Sequence, residues 1–165
     1  MDRLPKSKSL GDPYAGNRAL GETLFVPSEL YTPAHGREFL LELSTLPFPG
    51  IATDLQPVFG SLLLKANGTS IITENVYDQR FQWVPEVLRM GANVQIGWQH
   101  AVIKGVEELS GAPVVCPDIR TGAALLIASL SADGNSEIDG ISHIERGYED
   151  IVHSFSELGA KLEYN

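Results

Sequence analysis

Asp54 and Asp118 stand at predicted helix starts, and so do three arginines, Arg80, Arg120 and Arg146. A carboxylate in that position is favoured by capping and by the helix macrodipole. The same carboxylate can serve as a general base if a substrate hydroxyl comes within hydrogen-bond reach. Both uses fit Asp54 and Asp118. An arginine there is a different case, because unpaired backbone N–H groups already make the potential positive. Three such arginines point to a bound anion, since a guanidinium beside a helix N-terminus holds a phosphate or carboxylate. A salt bridge to a neighbouring acid, such as Glu74, Asp78 or Glu145, is the alternative use.

The elements that must position these groups repeat. Residues 45–57, TLPFPGIATDLQP, form a stiff loop in which each proline fixes its own φ and restricts the residue before it. A strand over residues 39–43 leads into the loop. A helix follows over residues 55–66, capped by Thr53 or Asp54, with Leu55, Val58, Phe59, Leu62 and Leu63 on one face. Residues 69–73 read as a strand, and a second helix carries Trp83, Val84, Val87 and Leu88 up to a stop at Gly91. Residues 93–104 read as a hairpin. The order then restarts, with a strand at residues 114–116 and a helix from Pro117-Asp118 to Leu130. An amphipathic last helix carries Tyr148, Ile151, Val152, Phe155 and Leu158, and a strand at residues 162–164 follows.

Matched positions are 64 residues apart for Asp54 and Asp118, 66 for Arg80 and Arg146, and 68 for Gly91 and Gly159. Such a spacing is an internal repeat with small insertions. The predicted fold class is α/β (α+β), with two β-α-β-α-β-β repeats at about residues 38–108 and 109–165. Residues 1–37 are broken by prolines and glycines into an irregular segment of unknown role. It holds a basic stretch at residues 1–9 and candidate short edge strands at 24–26 and 29–31.

Composition narrows the function class. The chain has 165 residues, 43% hydrophobic and 20% charged, as an ordinary globular domain does. A formal net charge of −9 argues against a nucleic-acid or anionic-membrane surface. There is no apolar run of about 18 residues, and the single cysteine, Cys116, forms no internal disulfide framework. A soluble cytoplasmic protein is expected. Cys116 falls in a strand, where it reads as a small buried hydrophobe. Trp83 reads as core and Trp98 as a hairpin residue. His35, His100, His143 and His153 lack metal-ligand spacing, so no metal or cofactor is expected.

Residues 45–57 (TLPFPGIATDLQP), 68–75 (GTSIITEN), 89–92 (RMGA), 109–113 (LSGAP), 117–120 (PDIR) and 143–149 (HIERGYE) together resemble the C-terminal part of the UDP-N-acetylglucosamine 1-carboxyvinyltransferase family of enolpyruvyl transferases. The resemblance runs in order from about residue 38 to residue 165. It implies an inside-out α/β barrel domain, of which these would be the last two units. It also implies transfer of enolpyruvyl from phosphoenolpyruvate to the 3′-hydroxyl of UDP-N-acetylglucosamine, in peptidoglycan synthesis. By resemblance, Asp54 is the base on the sugar hydroxyl and Val76 a backbone contact to the sugar nucleotide. Arg80, Arg120 and Arg146 line the phosphoenolpyruvate side, and Asp118 is a catalytic acidic residue of the same cleft.

The family's N-terminal domain, including its mobile loop with a catalytic cysteine or aspartate, has no counterpart in this sequence, and Cys116 does not align with that cysteine. A cleft between two domains would then need a separate N-terminal-domain chain or self-association. The alternative function is a catalytically inactive remnant acting as a weak sugar-nucleotide-binding or protein-interaction module. A sister transferase acting on shikimate 3-phosphate fits the fold but not the Pro47 loop or the motif at residues 143–149.

Overall fold

The computed structural model describes residues 23–27 and 42–164. The basic stretch at residues 1–9, the candidate strand at 29–31, His35 and the start of the strand expected from residue 39 lie outside the described residues. Strand β1 (Thr23–Pro27) comes first in the chain. The first unit is β2 (Glu42–Ser44), α1 (Gln56–Leu63), β3 (Thr69–Thr73), α2 (Val84–Arg89), β4 (Asn93–Gly97) and β5 (His100–Lys104). The second is β6 (Pro113–Val115), α3 (Ile119–Leu130), β7 (Asn135–Asp139), α4 (Ser142–Glu145), α5 (Ile151–Glu157) and β8 (Glu163–Tyr164).

The two sheets share one plan. In the first the strand order is β2-β3-β5-β4, and in the second β6-β7-β1-β8. Each begins with a parallel pair and continues antiparallel. Strand β1 therefore holds in the second sheet the lane that β5 holds in the first. It pairs along its whole length with β7, Thr23 opposite Asp139 and Pro27 opposite Asn135, and with β8 on its other side. The sequence reading made residues 24–26 an edge strand. They are an interior one, because the second unit supplies no hairpin partner of its own for β7.

Helix α3 sits inside and the two sheets lie outside it. Along β5 and β7 buried and exposed residues alternate strictly, so each sheet turns one face to the helices and the other to solvent. Helix α3 is more enclosed than these strands, burying Thr121, Gly122, Ala123, Ala124, Leu125, Leu126, Ala128 and Ser129. It packs against α1. The small side chains at Gly122, Ala123 and Ala124 let neighbours approach closely; a Cβ on Gly122 would collide with Ile144 and Cys116.

Helix α1 buries only part of the expected face, with Leu63 buried and Val58 and Phe59 partly so. A 3₁₀ turn over Thr53–Leu55 precedes it, so the α-helix begins at Gln56. Gln56, Pro57, Gly60, Ser61 and Leu63 are buried, whereas Leu55 and Leu62 are about half exposed. The reason is Trp83, which is fully buried. Its indole lies over Gly60 and donates Nε1–H to Gln56 Oε1 at 3.1 Å. A bulky side chain from α2's leading turn fills the space that apolar residues of α1 would otherwise occupy. Trp83, Val84 and Val87 form the inner face of the second helix as expected, while Leu88 points outward.

Both repeats end their later helix in the same way. Gly91 and Gly159 adopt φ of +87° and +95°. Gly91 N–H reaches Leu88 O and Ala92 N–H reaches Val87 O, and Gly159 and Ala160 make the matching bonds to Ser156 and Phe155. This is a Schellman turn, which only a residue tolerant of positive φ completes without strain. Helix α5 is less enclosed than its amphipathic pattern implied. Ile151 is buried and Val152 and Phe155 partly so, but Leu158 is 83% exposed.

Gly60→Ala places a methyl into the Trp83 ring and is expected to cost about 1–3 kcal/mol. Urea unfolding should show a lower midpoint with an unchanged slope. A chain starting at residue 38 lacks β1 and leaves β7 with one open edge. Sedimentation should then show concentration-dependent association that the full chain lacks.

Candidate functional site

The root of the loop at residues 45–57 is fastened to the end of β3. Thr45 N–H donates to Thr73 O (2.9 Å), and Asn75 Nδ2 donates to Thr45 O (3.1 Å). The Thr45 hydroxyl accepts from Asn75 N–H (3.0 Å) and donates to Glu74 Oε1 (2.7 Å). Glu74 is completely buried, and the same oxygen accepts the N–H groups of Val76 (2.9 Å) and Tyr77 (3.0 Å). Glu74 thus ties the loop to the segment after β3, instead of pairing with an arginine as its charge alone allowed. Sequence reasoning missed this role. The available signal was an acid directly after an apolar strand and before a turn, where a carboxylate can gather backbone donors. Val76 is about half exposed, and its N–H is already engaged by Glu74.

Asp54 lies within the 3₁₀ turn and caps nothing, for no side-chain cap bond is made at either Ala52 or Leu55. Its carboxylate, about half exposed, instead meets two guanidiniums. Arg120 grips it as a fork, Nε to Oδ1 at 2.6 Å and Nη2 to Oδ2 at 3.2 Å. Arg80 Nη2 reaches Oδ1 at 3.1 Å. Arg80 is only 12% exposed and is itself fixed, with Nε donating to Thr53 Oγ1 (3.0 Å) and the guanidinium 4.7 Å above the Tyr77 ring.

Asp118, the repeat partner of Asp54, has the other role. Its Oδ1 accepts the N–H groups of Arg120 (2.8 Å) and Thr121 (3.2 Å), and its Oδ2 accepts the Thr121 hydroxyl (2.7 Å). It is the N-cap of α3 and thereby sets where Arg120 leaves the helix. Tyr77, Gln79, Arg80, Gln82, Asp118 and Arg120 line a cleft of about 270 Å³.

Arg146 does not join them. It is exposed, at the C-terminal end of α4, where a cation is favoured by the macrodipole, and five residues before α5 begins. The expectation that Arg146 opens a helix is corrected accordingly. The short α4 and the turn at Asp150, which is left-handed with φ 46°, displace the start of the last helix.

The charges act on one another. The Arg120 fork, helped by the charges of Arg120 and Arg80 and opposed by partial burial, holds Asp54 below the usual carboxylate range. The same bond raises Arg120. Burial pushes Asp118 up, but the Thr121 hydroxyl, the backbone N–H groups of Arg120 and Thr121 and the Arg120 charge outweigh it and hold Asp118 low. Cys116 is buried, and burial, reinforced by the Asp118 charge, pushes its thiol up to about 12, so it is no nucleophile at neutral pH. His100 Nδ1 meets Thr73 Oγ1 at 2.9 Å and His153 Nε2 lies 3.4 Å from Glu157. Among the described residues no cluster of three or more His, Cys, Asp or Glu could hold a metal ion, and no helix is long and apolar enough to cross a membrane.

Two guanidiniums and two carboxylates thus meet at the junction of two repeated α/β units, beside the enclosed helix α3. A family profile described as EPSP synthase (3-phosphoshikimate 1-carboxyvinyltransferase) matches residues 27–155. The chain belongs to this family of enolpyruvyl transferases. It is similar to the UDP-N-acetylglucosamine 1-carboxyvinyltransferase of Thermotoga maritima, 53% identical over 124 residues, which cover 75% of this chain and 30% of that protein. The same-named protein of Mycobacterium leprae is 49% identical over 123 residues, 74% of this chain and 29% of the relative. The enolpyruvyl transferase NikO from Streptomyces tendae superposes with a TM-score of 0.70 at 27% identity, over 76% of this chain and 29% of that one. The chain thus spans about 30% of the length of the curated relatives it matches.

Asp118→Ala removes the α3 cap and should cost about 1 kcal/mol at pH 7. Because the folded carboxyl is held low, its contribution is present above the unfolded pKa of about 3.9 and is lost as pH falls through the lower folded value. Unfolding midpoints of wild type and variant, followed from pH 7 downward, should therefore converge below about pH 4.

Proposed function

We propose that this chain acts as the C-terminal part of a UDP-N-acetylglucosamine 1-carboxyvinyltransferase, working in the cytoplasm on the peptidoglycan precursor. What carries the reading is the Asp54–Arg80–Arg120 cluster, which sets one carboxylate against two guanidiniums from different parts of the two units. Asp54 takes the proton of the sugar 3′-hydroxyl as the oxygen attacks C2 of phosphoenolpyruvate. A proton enters at C3 during this addition. Loss of a C3 proton and of the phosphate then regenerates the double bond and releases inorganic phosphate.

Arg80 and Arg120 hold the carboxylate and phosphate of phosphoenolpyruvate in fork geometry and stabilise the charge that builds on the leaving phosphate. Arg146, exposed beside α4, supplies a further cation to the same anion when the cleft is closed. Asp118 acts through Arg120, whose backbone N–H it holds. The Val76 carbonyl meets the sugar nucleotide. The sugar-nucleotide acceptor is preferred to a shikimate-type one because the relatives at 53% and 49% identity carry that name.

The cluster forms one wall of a cleft, and the opposite wall comes from an N-terminal domain of the kind the relatives carry. Mixing the chain with the N-terminal portion of the Thermotoga maritima relative, with phosphoenolpyruvate and UDP-N-acetylglucosamine, should release phosphate. Asp54→Ala and Arg120→Ala should each lower the rate about 100-fold or more. No release at any ratio of the two chains would overturn the proposal.

A further inference from the structure

We propose that Asp54 is the resident anion of the arginine site: an incoming phosphate- or carboxylate-bearing ligand binds by taking the Arg120 fork away from Asp54, and this displacement releases Asp54 to act as a base. The inference rests on the function proposed above and concerns the regulation of its site. Its basis is a count of donors. Arg120 commits both Nε and Nη2 to the two oxygens of Asp54, and a planar fork so engaged cannot also hold a second anion in the same geometry.

Of the two guanidiniums, Arg120 is the one free to move. Arg80 is held by Thr53 and by the Tyr77 ring and is nearly enclosed, whereas the Arg120 side chain is 37% exposed beside the cleft. The surrounding charges make the exchange matter. Asp54 faces Arg80 from the turn leading into α2 and Arg120 from α3, and Arg120 also feels Asp118 at the start of its own helix and Tyr148 from the segment after α4. Two cations are thus balanced by two carboxylates, and an outside anion meets no net positive charge while both carboxylates stay ionised. Asp118 is not the carboxylate that yields, since its oxygens are committed to the α3 N-terminus and Thr121. The repeat-related aspartates have therefore divided the work, and only Asp54 is free of backbone duty.

The exchange has a chemical consequence. A carboxylate gripped by a guanidinium fork is a weak base, and loss of the fork raises its affinity for a proton, with Arg80 still at 3.1 Å. The base is thereby kept idle until the anionic substrate is in place. Coupling of this kind is reciprocal, so the charge on Asp54 must weaken anion binding by the same factor that the anion strengthens proton binding.

That reciprocity provides the test, on the intact chain alone with phosphoenolpyruvate as the probe. Calorimetry at constant ionic strength should show Asp54→Asn binding phosphoenolpyruvate roughly three- to tenfold more tightly than wild type, and Arg120→Ala losing binding. In wild type, the carbon-13 signal of the Asp54 carboxyl should titrate at a higher pH when phosphoenolpyruvate is saturating. Unchanged or weaker binding by Asp54→Asn, an unmoved Asp54 titration, or no binding by either protein would overturn the inference. Neither measurement uses a sugar nucleotide, a second chain or turnover. Tighter binding by Asp54→Asn together with no phosphate release in the mixed assay would count against the proposed transferase function alone.

Discussion

The packing of α1 against α3 is the constraint from which the site follows. It brings the ends of the two repeats side by side, so that a guanidinium from the second closes on a carboxylate 66 residues earlier in the first. Two features make the approach possible. Helix α3 presents glycine and alanine where bulk would hold its neighbours off, and Trp83 fills the remaining space through Gly60 and Gln56. An ion pair as exposed as Asp54–Arg120 contributes little to stability. Its geometry is set by the buried apolar contact beneath it, and the fork is an outcome of that contact.

A second layer of organisation is polar and buried. Glu74 gathers a hydroxyl and two backbone N–H groups onto one oxygen, and so joins the root of the Asp54 loop to Val76 and Tyr77. Tyr77 in turn supports Arg80. A chain of contacts thus runs from a fully enclosed carboxylate to an open one. The enclosed group holds the frame, and the open one, Asp54, is half exposed. That division is the usual requirement for a preorganised site, in which reacting groups sit on supports that do not move with them.

The internal repeat is a plan that the two units carry out differently. Both end their later helix with the same glycine turn, and both place a parallel strand pair before an antiparallel partner. They part at the aspartates. Asp118 follows an extended backbone and caps a long helix, while Asp54 is offset by a 3₁₀ turn that moves it off the helix axis. They part again at the third lane of the sheet, which the first unit fills with β5 of its own hairpin and the second fills with β1. Divergence at these points creates a single site where symmetry would have produced two.

Local patterning determined much of the fold in advance. Strands β3 to β6, the start of α3 at Asp118, the glycine stops and the burial of Trp83 and Cys116 were all legible in residue spacing, because each depends on neighbours a few positions away. The tertiary structure decided the rest. The buried face of α1 was partly misread because an indole from another element, not the helix's own apolar stripe, sets it. Strand β1 was read as an edge because pairing across 108 residues or more leaves no local mark. Local spacing did not separate Asp54 from Asp118, which are the same residue type at matched positions. A carboxylate's role depends on which donors reach it, and for Asp54 those donors lie 26 and 66 residues further along the chain.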